Sequence, residues 1–243
     1  IYDRAALELD VVEKDALREK TNSYWRFLLS GDAVSWRDEI AGEINVRTSV
    51  VSDPILVKGN GQFLYTLASV IDDSDFGVTD VVRGIDHLTN TAVQIEIFRN
   101  LSAGLPVFGH HSLIVDNSGE NFSKRSGSLS IKSLKEAGIE AGAIVSKLVS
   151  LGTGDGLDLK NNIDELTPKF DLRKFSTAPV KFEKEVLQTI SRKLIANLSV
   201  SEIFPYLDLI GVPDNIKENF WIMARDNINS KEDLIDIWKL CKE

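Results

Sequence analysis

The residues best suited to chemistry lie in the stretch Asn121-Phe122-Ser123-Lys124-Arg125-Ser126-Gly127, which follows an apolar run typical of a strand. Lys124 stands between small or hydroxyl-bearing neighbours in what reads as a loop. An ammonium presented in this way suits the neutralisation of a polyanion such as ATP. A solvated Lys124-Arg125 pair on an ordinary loop fits the same residues, so the stretch carries weight only together with other signals.

A second polar stretch lies upstream and reads Val81-Val82-Arg83-Gly84-Ile85-Asp86-His87-Leu88-Thr89-Asn90-Thr91. Arg83 falls at the end of a β-branched run, where its guanidinium fork could bind a carboxylate. A surface ion pair is the alternative for an arginine in such a place. The Asp72-Asp73 pair is interpreted as capping or structural rather than as a metal site.

The histidines of the chain do not form a metal-binding pattern. They are His87, His110 and His111, and their spacing is not that of zinc ligands, while no cysteine lies near them. We therefore expect structural or supporting roles for all three.

The elements around Arg83 follow a strand–helix–strand pattern. Residues 78–83 predict a strand, Thr89 or Asn90 is expected to cap a helix with Val93, Ile97 and Leu101 on one face, and residues 107–115 predict the next strand. A crossover of this length implies parallel pairing and an α/β layer. The apolar run 63–71 fits a buried helix or a strand, because periodicity does not decide between them.

The flanking segments predict a mixed start and a helical end. Residues 13–20 predict an early helix, residues 24–29 a strand whose Tyr24 and Trp25 pack in the core, and Asn60-Gly61 a hairpin turn. A loop is expected at 152–156. Helices are expected over 131–151, 181–196, 201–209, 214–227 and 231–242, the second with an apolar stripe of Phe182, Val186, Ile190 and Leu194.

Composition bounds the class of protein. Of 243 residues, 43% are hydrophobic and 27% charged, which is ordinary for a soluble globular chain. No apolar run approaches the ~20 residues of a membrane-spanning helix. The single cysteine, Cys241, excludes an internal disulfide and a cysteine-based metal site, which suits the cytosol. The net charge of −9 argues against a protein that coats nucleic acid nonspecifically.

Taken together, several segments resemble bacterial glutamyl-tRNA synthetases of class I, over most of the chain. Arg83 lies in the strongest of them, and Lys124 in the loop that resembles the family's KMSKS loop. The segments are Ile1-Tyr2-Asp3-Arg4, Ser23-Tyr24-Trp25-Arg26-Phe27, Tyr65 with Val70-Ile71-Asp72-Asp73, residues 78–84 with Asp86-His87, Asn90-Thr91 and Gln94, Pro106 to His110, and Ser123-Lys124-Arg125 with Gly127.

The resemblance implies an α/β fold: the second half of a class I synthetase Rossmann domain, with a small mixed α/β insertion before it and helical domains after it. The expected boundaries are 1–61 for part of the acceptor-binding insertion and 62–116 for the half Rossmann domain. Residues 117–198 would hold the KMSKS-like loop and a helical domain that contacts the tRNA stem, and 199–243 the start of the helical anticodon-binding region.

The resemblance also implies the reaction and its residues. Glutamate would be activated with ATP, accompanied by Mg²⁺, and transferred to the 3′ end of tRNA(Glu); whether tRNA(Gln) is charged as well stays open. Lys124 would be catalytic and, with Ser123, Arg125 and Asp86, would bind ATP. Glutamate would be bound by Arg83, Tyr65 and Ser69. We expect no zinc, a monomer and a cytoplasmic location, and local basic patches that grip a folded tRNA despite the acidic charge.

The sequence also departs from the family pattern. It contains no His-x-Gly-His-like motif, which in this family opens the Rossmann domain, and Asn121 stands where the family's loop often has Lys. We therefore expect a central fragment of a longer enzyme, inactive by itself. Two alternatives remain: a related enzyme that glutamylates a modified tRNA base, which would not be expected to carry the helices after residue 181, and a noncatalytic tRNA-binding module.

Overall fold

The chain forms two compact units, Ile1–Leu113 and Ile114–Glu243. This is a computed structural model, and it describes residues 1–19, 23–116, 118–120 and 130–242. The first unit contains β1 (Trp25–Arg26), β2 (Ala33–Asp38), β3 (Gly42–Arg47), β4 (Ile55–Val57), β5 (Asp80–Gly84) and β6 (Val107–His111), with helices α1 (Val11–Arg18), α2 (Tyr65–Asp75) and α3 (Leu88–Asn100).

The predicted strand–helix–strand crossover is confirmed. Strands β5 and β6 pair in parallel, with Arg83 opposite His110, and α3 connects them. Eight consecutive residues of α3, from Thr91 to Phe98, are buried, because the helix is packed on more than one side. The apolar run 63–71, which fitted either a helix or a strand, contributes the first part of helix α2.

The predicted cap of α3 is wrong. The helix starts at Leu88, directly after a 3₁₀ turn at Ile85–His87, and the Leu88 backbone N–H donates to Ile85. Thr89 and Asn90 therefore lie inside the helix, and no side chain caps it. The helix thus begins before the two predicted capping residues, because the 3₁₀ turn leads directly into it.

A hairpin extends the crossover sheet. Strands β2 and β3 pair antiparallel, and β2 runs parallel to β6 through Asp38 opposite Phe108, so the strand order is β3-β2-β6-β5. The carboxyl ends of three parallel strands thus lie side by side. Below them is a core that contains Leu29, Val34, Val70, Ala92, Val93, Ile95, Ile97, Phe98 and Phe108.

The prediction that Tyr24 and Trp25 pack in the core is wrong. Their exposed fractions are 57% and 54%. The strand contains only Trp25 and Arg26, pairs with β4 in a separate two-stranded sheet, and has both residues exposed. The Arg18 guanidinium lies 5.6 Å from the centre of the Trp25 ring, so this exposed ring has a cation as a neighbour rather than a hydrophobic core.

The Asn60-Gly61 turn is confirmed. Val57 and Phe63 form an antiparallel bridge across it, and Gly61 has a φ of +82°, which glycine adopts without strain. The predicted strand over 107–115 is divided: β6 ends at His111, and Ile114–Val115 forms β7, which pairs with β8 (Val180–Lys181) in the second unit.

The second unit is mainly helical. It contains α4 (Ile131–Glu136), α5 (Ala141–Ser150), α6 (Lys184–Ala196), α7 (Val200–Leu209), α8 (Lys217–Ala224) and α9 (Asp233–Leu240). The predicted helix over 131–151 is interrupted where Gly138 takes a φ of +71°. Phe182, Ile190 and Leu194 of the predicted stripe are buried, and Val186 packs beside them. Within the described residues, none of the helices is long and apolar enough to span a membrane.

Candidate active site

Arg83 lies near the carboxyl end of β5, the edge at which open α/β sheets bind ligands. Its Nη2 donates to Gln94 Oε1 at 2.7 Å and also to the Thr91 hydroxyl. Both partners lie on α3, three residues apart, so they share the helix face turned toward β5. The guanidinium is therefore held by side chains of a buried helix.

Helix α2 supplies the other wall of the site. Tyr65 and Ser69 are one helical turn apart, which places them on one face. The Tyr65 hydroxyl lies 3.5 Å from Arg83 Nη1, and the Ser69 hydroxyl accepts a 2.7 Å hydrogen bond from Gln94 Nε2. One continuous polar network thus connects Ser69, Gln94, Arg83 and Tyr65.

The electrostatic feature of this network is a cation without an acidic hydrogen-bond partner. Burial lowers the pKa of Arg83, and the nearby Tyr65 hydroxyl and the more distant Asp73 and Asp38 only partly oppose this effect. Across the described ranges no carboxylate forms an ion pair with Arg83. A half-buried guanidinium in this condition favours an anionic ligand, because a carboxylate would supply the missing countercharge.

A buried carboxylate–imidazole pair stands behind Arg83. His110, fully buried on β6, forms a 2.5 Å contact from Nδ1 to Asp38 Oδ2, and Asp38 is the last residue of β2. The other ring nitrogen, Nε2, lies 3.4 Å from Arg83 Nε and 2.8 Å from the Thr91 hydroxyl. Asp38, His110 and Arg83 thus meet at the carboxyl ends of three parallel strands.

Asp86 lies just beyond Arg83, in the 3₁₀ turn between β5 and α3, and it is exposed. Its carboxylate folds back over Gly84, so that a Cβ on Gly84 would lie 2.5 Å from Asp86 Oδ1. A side chain at position 84 would therefore displace the Asp86 carboxylate. In the part of the chain that the structure describes, no group of three or more His, Cys, Asp or Glu residues could hold a metal ion.

Comparison with known proteins gives the family. A family model described as tRNA synthetases class I (E and Q), catalytic domain, matches residues 2–189, which is more than half of the chain. The chain belongs to this family. The resemblance and the α/β fold class predicted from the sequence are confirmed.

Named relatives agree with this assignment. The chain is 45% identical over 244 aligned positions to "Glutamate--tRNA ligase 2" of Ruegeria sp. (strain TM1040) and 44% identical to "Glutamate--tRNA ligase 1" of Ruegeria pomeroyi (strain ATCC 700808 / DSM 15171 / DSS-3). Each alignment covers 100% of this chain and 55% of the relative. The chain thus spans about half the length of the curated relatives that it matches.

Solved structures support the fold. A glutamate tRNA ligase from Elizabethkingia meningosepticum CCUG26117, crystallised in complex with its amino acid, aligns with a TM-score of 0.80 and 24% identity over 96% of this chain and 52% of that one. Glutamate-tRNA synthetase from Elizabethkingia anophelis gives a TM-score of 0.78 at 24% identity, over 96% of this chain and 53% of that one. At this identity the likeness concerns the fold alone.

The structure brings part of the sequence-predicted synthetase site together. Arg83, Tyr65 and Ser69 share one network, and Asp86 lies three residues after Arg83 along the chain. The predictions for Ser123, Lys124 and Arg125 lie outside the described residues.

Sequence reasoning missed Asp38 and gave His110 no specific role, and it quoted Thr91 and Gln94 only as parts of a motif. The one local signal for Asp38 is the turn that follows it, in which its carboxylate accepts from the backbone N–H groups of Ile40 and Ala41.

Proposed function

We propose that the protein to which this chain belongs is a glutamate–tRNA ligase, which activates glutamate with ATP and transfers it to the 3′ end of tRNA(Glu). The observation that carries the proposal is Arg83: a half-buried guanidinium, fixed by α3, with no ion-pair partner among the described residues. The names of the relatives agree with a carboxylate-bearing substrate.

The proposed glutamate subsite uses the network around Arg83. The Nη1 edge of the guanidinium makes only the 3.5 Å contact to Tyr65 among the described residues, so it is the edge left for a substrate carboxylate. A charge-assisted pair there would be shorter and stronger than a neutral hydrogen bond. Tyr65 and Ser69 add hydroxyl groups beside it. A neutral analogue such as glutamine would leave the guanidinium without its countercharge, which favours glutamate.

The proposed nucleotide subsite combines Asp86 with Ser123, Lys124 and Arg125. Lys124 would act as the catalytic cation that stabilises the charge developing as pyrophosphate leaves. Magnesium would accompany ATP and be held by its phosphates. We also propose that domain boundaries lie after residues 61, 116 and 198. The protein would recognise tRNA(Glu), with recognition of tRNA(Gln) undecided, and it would be a cytoplasmic monomer.

The test is amino-acid-dependent ATP–pyrophosphate exchange by the full-length protein, with tRNA(Glu) present and absent. The expected result is exchange with L-glutamate and, under the same conditions, almost none with L-glutamine or L-aspartate. No exchange with any amino acid, together with salt-sensitive tRNA binding on filters, would favour the noncatalytic tRNA-binding alternative. Glutamate transfer to an internal tRNA base instead of the 3′ end would favour the base-modifying alternative.

The role of Lys124 has its own test. Lys124→Ala is expected to lower the exchange rate at least about tenfold, because one preorganised cation at a developing negative charge contributes that much or more. Lys132→Ala on α4 is the matched control, since its side chain is 85% exposed and carries only a long surface ion pair. Equal exchange rates in the two variants would refute the role of Lys124.

A further inference from the structure

Asp38 and His110 form a buried pair with no direct access to a ligand. Asp38 is 2% exposed and His110 is 0% exposed. Asp38 Oδ1 accepts hydrogen bonds from the backbone N–H groups of Ile40, Ala41 and His110 at 2.9–3.1 Å, and Oδ2 faces the imidazole Nδ1. The pair is fixed at both ends, because the carboxylate is held by backbone and the ring is enclosed by the sheet and α3.

The hydrogen bonds determine which ring nitrogen carries the proton. Burial by itself would raise the pKa of Asp38, but the hydrogen bonds from Ala41, His110 and Ile40 lower it below its ordinary value, so the carboxylate is ionised near neutral pH. An ionised carboxylate only accepts hydrogen bonds, so His110 Nδ1 must donate to it. Burial lowers the pKa of His110, and the nearby Arg83 and His87 add to this effect, while Asp38 opposes it; the net pKa is lowered, so the ring is neutral and its Nε2 is an acceptor.

That acceptor faces Arg83. The Arg83 Nε–H points at His110 Nε2 over 3.4 Å, beside the Thr91 hydroxyl at 2.8 Å from the same nitrogen, while Arg83 Nη2 is engaged by Thr91 and Gln94 on α3. These bonds occupy one edge of the planar guanidinium and direct Nη1 toward the proposed glutamate subsite. If the His110 proton were on Nε2 instead, two donors would face each other, and the plane would have to rotate away.

We propose that Asp38 is a positioning residue for substrate binding: by fixing the Nδ1-protonated tautomer of His110, it presents an acceptor to Arg83 and aims the guanidinium at the carboxylate of the amino acid substrate. The proposal rests on the proposed function of Arg83 and extends it to a buried residue 72 positions from its partner histidine in the sequence. Neither Asp38 nor His110 touches the substrate.

Asp38→Asn separates this role from a purely structural one. The asparagine oxygen can keep the three backbone hydrogen bonds now made by Oδ1, whereas its NH₂ group donates to His110 Nδ1 and moves the ring proton to Nε2. In ATP–pyrophosphate exchange by the full-length protein, the expected result is an increase in the glutamate KM of at least about tenfold, with the ATP KM within about twofold of wild type.

Matched variants complete the experiment. Asp53→Asn is the control, since Asp53 is another buried carboxylate of the same unit, 3% exposed and paired with Arg4, and its loss is expected to leave the glutamate KM unchanged. A ¹H–¹⁵N ring correlation, with the His110 signal assigned through its loss in His110→Gln, is expected to show Nδ1–H in wild type and Nε2–H in Asp38→Asn.

A second pair of variants decides the matter if Asp38→Asn does not fold. In His110→Gln the amide NH₂ group can donate to Asp38 and the amide oxygen can accept from Arg83, so the glutamate KM is expected to stay within about threefold of wild type. His110→Leu offers neither group and is expected to raise the glutamate KM at least about tenfold. Equal glutamate KM values in the two His110 variants would overturn the proposal. So would an unchanged glutamate KM, or an unchanged ring tautomer, in a folded Asp38→Asn.

Failure of the proposed function is distinguishable from these outcomes. It would appear in the wild type as an absence of glutamate-dependent exchange, or in Arg83→Lys as an unchanged glutamate KM. If wild type is active and Arg83→Lys raises the glutamate KM while Asp38→Asn does not, then Arg83 binds glutamate without help from Asp38, and only the positioning inference is overturned.

Discussion

Replacing Arg83 by lysine tests the glutamate subsite, because it keeps the positive charge and removes the planar fork. Arg83 now serves Thr91, Gln94 and His110 with one edge and leaves Nη1 for a ligand. A lysine ammonium has three donors at one point, so it cannot satisfy these partners and also pair with a carboxylate. Loss of one charge-assisted hydrogen bond to the substrate corresponds to about 2–3 kcal/mol, or roughly a 30- to 160-fold higher glutamate KM.

The assay is initial-rate ATP–pyrophosphate exchange by the full-length protein at varied glutamate and fixed ATP, then at varied ATP and saturating glutamate. The control is Arg37→Lys, since Arg37 is exposed on β2 of the same sheet. The glutamate KM is expected to rise in Arg83→Lys and stay near wild type in Arg37→Lys. A glutamate KM within twofold of wild type in Arg83→Lys, or an equal rise in the ATP KM, would refute the reasoning.

Two further predictions concern the surroundings of the site. Gly84→Ala would place a Cβ 2.5 Å from Asp86 Oδ1 and displace that carboxylate. In the same exchange assay we expect an ATP KM about fivefold higher, as for one lost hydrogen bond, and a nearly unchanged glutamate KM. A raised glutamate KM with an unchanged ATP KM would count against a contact between Asp86 and the nucleotide. Burial alone would raise the pKa of Asp53, but hydrogen bonds from Arg4 and from the Leu29 backbone lower it below the ordinary 3.8. The stability from the Asp53–Arg4 pair is therefore present above pH 3.8 and is lost as the pH falls through the lowered pKa of the folded state. In urea unfolding, wild type should have a higher free energy of unfolding than Asp53→Asn at pH 7, and this difference should shrink as the pH is lowered. A gap that does not change with pH would contradict this linkage.

Local patterns in the sequence are sufficient to predict the crossover β5–α3–β6, which carries the site. The β-branched run before Arg83, the four-residue apolar spacing of Val93 and Ile97, and the Pro106 boundary each act over a few residues, and β5, α3 and β6 form where these signals predict them. The predicted cap of α3 is wrong because the 3₁₀ turn at Ile85–His87 leads directly into a helix that starts at Leu88, so Thr89 and Asn90 lie inside it.

The errors and omissions come from contacts that the sequence does not encode locally. Tyr24 and Trp25 read as core residues because aromatic strands usually have a buried face, whereas β1 is a two-residue strand whose residues are both exposed. The pairing of β2 with β6 rests on one residue pair, Asp38 with Phe108. No periodicity in either segment indicates that Asp38 reaches His110. The residues that touch the predicted substrate could thus be named from a motif, but the buried pair behind them could not.

The most direct test of the account is a crystal structure of the full-length protein with bound L-glutamate. The account predicts a glutamate carboxylate within ~3 Å of Arg83 Nη1, beside the Tyr65 hydroxyl, while Nε and Nη2 keep their bonds to His110, Thr91 and Gln94. Glutamate bound away from Arg83, or an Arg83 guanidinium paired with a carboxylate of the protein itself, would contradict it.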